Sequence, residues 1–146
     1  ADTYERELIY GLRAHVIVRE TEAEALAAAE QLVSKLDADT GDAIRKKSLD
    51  AASFGVARQA ALRDTAADDG FVEENLWTGV GRARSGAGAA IVGNPDQVAA
   101  KLRAYQEVGI GAFILSGYTH AAECDLFAEH VLPKINHASL KPRFTR

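Results

Sequence analysis

Residues 8–36 read LIYGLRAHVIVRETEAEALAAAEQLVSKL, and two periods meet within them. From Leu8 to Arg19 the side chains are rich in Val, Ile and Leu. The last seven alternate, with Arg13, His15, Ile17 and Arg19 on one face and Ala14, Val16 and Val18 on the other. A period of two marks a strand. Thr21 and Glu24 then have the spacing of a capping box, and Ala25, Leu26, Ala29, Leu32, Val33 and Leu36 recur at helical spacing. A strand that feeds directly into a helix is the unit from which parallel sheets are assembled.

The rest of the chain repeats that alternation. Residues from Asp42 to about Arg63 favour helix, and the acidic run at 64–70 (DTAADDG) reads as a mobile surface loop. Residues 76–90 (LWTGVGRARSGAGAA) are glycine-rich and too irregular for a helix, so they read as a short strand, a glycine loop and a second strand. Asn94 and Pro95 supply a helix cap and a first-turn proline for a helix to about Val108. Ala112 to Leu115 reads as a buried strand, and a last helix spans about Ala121 to Leu132. The basic tail 134–146 has no period and is either disordered or a strap onto another surface. By pattern alone, two α/β architectures stay open: part of a (β/α)8 barrel, which needs about 250 residues when complete, and a small doubly wound sheet.

Composition narrows the functional classes. The chain has 146 residues, 47% of them hydrophobic, and a formal net charge of -4, which gives no general attraction for nucleic acid. No apolar run approaches the roughly 20 residues of a membrane span, and Ala1 to Glu7 lack the features of a signal peptide, so a cytoplasmic location is expected. The single cysteine, Cys124, rules out an internal disulfide and offers no zinc spacing; no metal is expected. There is no methionine, even at position 1, so the sequence as written is expected not to begin at a translation start.

Three stretches carry a family resemblance: GLRAHVIVRETEAEA (11–25), NLWTGVGRARSGAGAAIVG (75–93) and FILSGYTH (113–120), with IVGNPDQVAAKL (91–102) in a looser form. In this order they resemble the C-terminal part of the FMNH2-dependent alkanesulfonate monooxygenases, within the bacterial luciferase-like monooxygenases. The resemblance implies the C-terminal portion, about three β/α units, of a TIM (β/α)8 barrel, running through residues 1–146, with the front half missing. It implies a reaction in which reduced FMN and O2 oxygenate the carbon beside a sulfonate, giving an aldehyde and sulfite. A separate NAD(P)H-dependent FMN reductase would be a partner, a small anionic organosulfonate the substrate, and a homo-oligomer the assembly. A non-enzymatic half-barrel, or a luciferase-like enzyme with another substrate, is the alternative.

The resemblance also assigns positions. Arg13 and His15 match the family's R-A-H strand, and their two-residue spacing puts a cation and a titratable imidazole on one face. Arg84, with Gly86 and Gly88, matches the mobile glycine loop that closes over flavin and substrate; glycines let backbone N–H groups approach an anion that a guanidinium also binds. Tyr118 matches the tyrosine of S-G-Y-P-H, with Thr119 where proline is usual, which puts His120 in greater doubt. In these roles Arg13 and Arg84 would hold sulfonate or flavin phosphate, His15 would orient or exchange a proton with the reacting groups, and Tyr118 would hydrogen-bond the developing intermediate. The plain alternatives are polar filling of a barrel interior or a water-facing place on an edge strand for Arg13 and His15, a flexible loop for Arg84 and a core cap for Tyr118. The family's active-site cysteine lies in the front half, so Cys124 does not inherit its role. His120, Glu123, His130 and His137 are expected to be solvent-exposed, and Trp77 to anchor packing rather than stack on flavin.

Overall fold

The computed structural model describes residues 8–37, 39–41, 43, 54–83 and 88–137. Strand β1 (Tyr10–Val18) leads into helix α1 (Glu22–Val33), and helix α2 (Phe54–Asp64) follows. Then come the strands β2 (Phe71–Glu73) and β3 (Leu76–Trp77), the single-turn helix α3 (Val80–Ala83) and strand β4 (Ala90–Gly93). Helix α4 (Pro95–Glu107), strand β5 (Ile110–Ser116), helix α5 (His120–His130) and a 3-10 turn at Leu132–Lys134 complete the described order.

The helix starts obey their local chemistry. Thr21 accepts from the backbone N–H of Glu24 at 3.3 Å, while the Glu24 carboxylate accepts from the N–H of Thr21 at 3.0 Å. Asn94 does the same for α4, accepting from Asp96 and Gln97 while Gln97 accepts from the Asn94 N–H at 2.9 Å. Each reciprocal pair satisfies donors that a helix start otherwise leaves orphaned.

The strands lie in one mixed sheet in the order β2-β3-β4-β1-β5. β1 runs parallel to β4 on one side, His15 opposite Ala90 and Ile17 opposite Val92, and parallel to β5 on the other, Arg13 opposite Ile114 and His15 opposite Ser116. The β2-β3 hairpin is antiparallel and joins the far edge of β4. β1 thus lies between β4 and β5, and the α/β class expected from the alternation holds, as a mixed five-stranded sheet. Pairing with β5 satisfies the N–H and C=O groups on the second edge of β1, which would otherwise be exposed.

Two cores follow from the alternation of β1. Ala14, Val16 and Val18 pack with Leu76, Ile91 and the α4 residues Val98, Ala99 and Leu102, and Leu126, Phe127 and Val131 join them from the last helix and its end. The opposite face, Ile17 with Ala90 and Val92, packs on Ala25 and Ala29 of α1, on Trp77 and on Val80. Helices thus cover both faces of the centre, as a strand with two apolar faces requires.

Several expectations are corrected. The 76–90 segment, expected to be free of helix, forms one helical turn at Val80–Ala83; Val80 is buried in the second core, and that burial outweighs the glycine on either side of it. The strand expected to be buried at 112–115 is longer and lies at the sheet edge, with Ile114 66% exposed. For residues 64–70 the expected mobility is neither met nor contradicted: the Asp69 carbonyl accepts from the Trp77 indole at 3.2 Å, and the Gly70 carbonyl accepts from the N–H and hydroxyl of Thr78. Of the tail, residues 134–137 are described, and Lys134 pairs with Asp96 at 2.7 Å. Most of the stretch 42–53, and all of 138–146, lie outside the described residues.

Candidate active site

His15 sits at the middle of the central strand and is 3% exposed. Its backbone N–H donates to the Ala89 carbonyl at 3.0 Å, and the ladder sets it opposite both Ala90 and Ser116. Residues paired across a parallel ladder leave the sheet on the same face. His15 Nδ1 and Ser116 Oγ accordingly meet at 3.1 Å.

β5 ends at Ser116, and the turn that follows brings Tyr118 back over β1. Its ring stacks on that of His15, with centroids 5.2 Å apart and planes 18° from parallel. His120, the first residue of α5, meets Tyr118 edge to face at 5.5 Å. The three rings form a column from the buried centre of the sheet to the exposed helix start. The Tyr118–Thr119 peptide bond is cis. Tyr118 also packs against the core of Ile17, Ala90 and Val92, so the apolar side of the column is closed.

On the other flank, between the end of β5 and α5, lies a cavity of about 290 Å³, whose lining includes Val16, Ser116, Gly117, Cys124 and Phe127. Ser116 and His120 border both the cavity and the ring column. Gly117 is required there by close approach: a Cβ on it would lie 2.5 Å from the Cβ of Glu123.

Arg13 leaves the sheet on the same face as His15, one ladder step towards the start of β1, but it is less deeply placed. Among the described residues its guanidinium has no ion-pair or hydrogen-bond partner. Among the described residues Arg13 is exposed, and so is its ladder partner Ile114, at 66%. The structure therefore brings together His15, Tyr118 and His120, with Arg13 beside them. Gly88 is placed apart, next to the Gln59 side chain of α2. Arg84 and Gly86 lie outside the described residues.

Two residues with clear contacts carry no sequence signal of their own. Ser116 draws attention only once the β1/β5 register is known. Glu123, expected in solvent, is 7% exposed and forms a two-pronged pair with Arg19, at 2.7 and 3.1 Å. The helix spacing could not show that Arg19 reaches α5 from the end of β1. Trp77 is 4% exposed in the second core and acts in packing. Among the described residues no group of three or more His, Cys, Asp or Glu side chains is placed to hold a metal, and no helix is long and apolar enough to cross a membrane.

Residues 1–112 match the family model of the luciferase-like monooxygenases. The chain is 68% identical over 140 residues to a sulfoquinovose monooxygenase of Novosphingobium aromaticivorans, covering 96% of this chain and 39% of that protein. It is 51% identical over 146 residues to a sulfoquinovose monooxygenase of Agrobacterium fabrum, covering 100% of this chain and 38% of that protein. The chain thus spans about two fifths of the length of the curated relatives it matches.

Proposed function

The chain belongs to the luciferase-like monooxygenase family, and on that footing we propose that it is part of a two-component FMNH2-dependent monooxygenase that releases sulfite from an organosulfonate, with sulfoquinovose rather than a simple alkanesulfonate as the substrate. The observation that carries this reading is that two relatives named for sulfoquinovose match almost the whole chain. The narrower expectation of an alkanesulfonate gives way to a sulfonated sugar for that reason.

The described residues fit such a ligand pair. Arg13 offers an open guanidinium, the group whose planar fork suits a sulfonate or phosphate. His15 offers a titratable ring in a buried setting, where a proton can be held or moved without competition from bulk water. Tyr118 fixes the plane of that ring by stacking. Arg84, Gly86 and Gly88 keep the substrate- or flavin-binding role that the family resemblance implies. Reduced flavin, when bound, supplies the electrons that let one atom of O2 enter the carbon bearing the sulfonate.

We further place this chain as the last part of a (β/α)8 barrel in the whole protein, in the cytoplasm and in a homo-oligomer, served by a separate NAD(P)H-dependent FMN reductase. Among the described residues no strand pairs with the outer edge of β5 and Ile114 is exposed, which supports a front portion as its partner in the whole protein.

The test is a chimera in which this chain replaces the matching 38% of the Agrobacterium fabrum relative, supplied with FMNH2 and O2. Sulfite released from sulfoquinovose, and little from hexanesulfonate, is the expected result. Faster release from hexanesulfonate would return the substrate to the alkanesulfonates. No sulfite from either, with the chimera folded, would overturn the sulfonate reading and favour another luciferase-like substrate or a binding role.

A further inference from the structure

We infer that Ser116 is the positioning residue of His15: its hydroxyl donates to Nδ1 and so holds the buried imidazole as the tautomer with its proton on Nε2. The inference rests on the functional reading above for its relevance to a reaction, but its geometry stands independently. Neither the sequence motifs nor the relatives' names assign Ser116 a role.

Three observations support it. The register is fixed by the ladder, which sets Ser116 directly opposite His15, so the 3.1 Å contact follows from backbone pairing and not from a chance rotamer. The hydroxyl has no second partner among the described residues. A neutral imidazole has one donor and one acceptor nitrogen; if Nδ1 carried the proton, the serine hydrogen would have no acceptor there. With Ser116 donating, the hydroxyl hydrogen and the Nδ1 lone pair are both used. Finally, His15 is 3% exposed and stacked on Tyr118, packing that holds the plane of the ring and keeps Nδ1 turned towards the serine.

A histidine working on a bound substrate is useful only with the correct nitrogen protonated, and the partner of the other nitrogen usually decides that. Here the partner is carried by β5, the strand whose end also delivers Tyr118. One element thus sets both the tautomer and the plane of the ring.

The experiment is 15N NMR of the His15 ring in the chain without flavin or substrate, for the native protein, Ser116→Ala and Ser116→Thr, with the amide signals of Val18 and Ile91 reporting that the sheet is intact. The native ring is expected to show a protonated Nε2 and an acceptor Nδ1. Ser116→Ala should shift the ratio of the two neutral forms by about fivefold, the size of one net hydrogen bond, and Ser116→Thr should restore it. A native ring protonated on Nδ1, or a ratio unchanged in Ser116→Ala, would overturn the inference. Because nothing is turned over in this measurement, its failure is separate from a failure to release sulfite.

Discussion

Arg19 and Glu123 are 104 residues apart in sequence and joined by two hydrogen bonds: Nη2 donates to Oε1 at 2.7 Å and Nη1 to Oε2 at 3.1 Å. The pair ties the end of the central strand to the last helix. Glu123 is 7% exposed, while the Arg19 side chain keeps 28%. Removing the arginine alone leaves a buried carboxylate without its counter-charge. Arg19→Leu is expected to cost about 2 kcal/mol in urea unfolding, less than a fully buried pair would because water still reaches the guanidinium. The double variant Arg19→Leu with Glu123→Leu should recover most of that loss. A double variant as weak as the single one would show that the pair itself, and not the abandoned charge, holds the helix.

Gly79 has no room for a side chain. A Cβ there would lie 2.0 Å from Cζ2 of Trp77, whose indole is fixed from its other end by the Asp69 carbonyl. Gly79→Ala therefore forces the tryptophan out of its place, at a cost of about 1–3 kcal/mol. The fall in melting temperature should be accompanied by a red shift of the tryptophan fluorescence, since the chain has only this one. Unchanged fluorescence would mean that the backbone moves and the ring does not.

Arg13 does no internal work among the described residues, so it separates binding from folding. Arg13→Met should leave stability within about 0.5 kcal/mol. In the sulfite-releasing chimera, kcat/KM for the sulfonate should fall by about tenfold or more, the loss expected when one charged hydrogen bond disappears. An unchanged kcat/KM would remove Arg13 from the site and leave it as a surface residue of the strand.

Tyr105 of α4 titrates above the usual tyrosine range. Half-burial is the main cause, and the nearby Glu73 carboxylate adds to it by charge and by accepting the phenol hydrogen bond. Glu73 is in turn paired with Lys101 at 2.8 Å, and the lysine lies 5.9 Å above the tyrosine ring. The fold thus keeps the phenol protonated at a pH where an unfolded chain would ionise it. That contribution to stability is complete below about pH 10 and is lost as pH rises through the folded value. Between about pH 9 and pH 11 the native protein should lose thermal stability more steeply than Tyr105→Phe. Parallel curves for the two proteins would show that the tyrosine takes no part.

Local chemistry was legible from the sequence wherever neighbours in the chain decide it. The Thr21 and Asn94 caps, the alternation along β1 and the helix after Pro95 each depend on residues within a few positions of one another. The sharing of a face by Arg13 and His15 is of the same kind. Other features depend on partners far away in the chain and left no periodic trace. The place of β5 beside β1, the meeting of Ser116 with His15 and the burial of Glu123 under Arg19 all follow from which edge β5 pairs with. The short helix at Val80 escaped because glycines dominate its propensity, and only the core it faces could outweigh them. Tyr118 was found through family resemblance, whereas its stacking on His15 needed the turn after β5 to be seen.

With β1 at the centre of the sheet, the two ends of the ring column have different lifetimes. The His15 N–H is locked to the Ala89 carbonyl inside a strand paired on both sides, so its amide belongs to the set that trades hydrogen for deuterium only when the whole chain opens. Tyr118 and His120 stand on a turn and a helix start, classes of element that in general open by smaller excursions than a central strand. The imidazole is thus anchored in the part of the fold that opens last, while the two rings above it stand on the kinds of element that open first, so any local opening there would bare the face of the histidine without unfolding the strand beneath it.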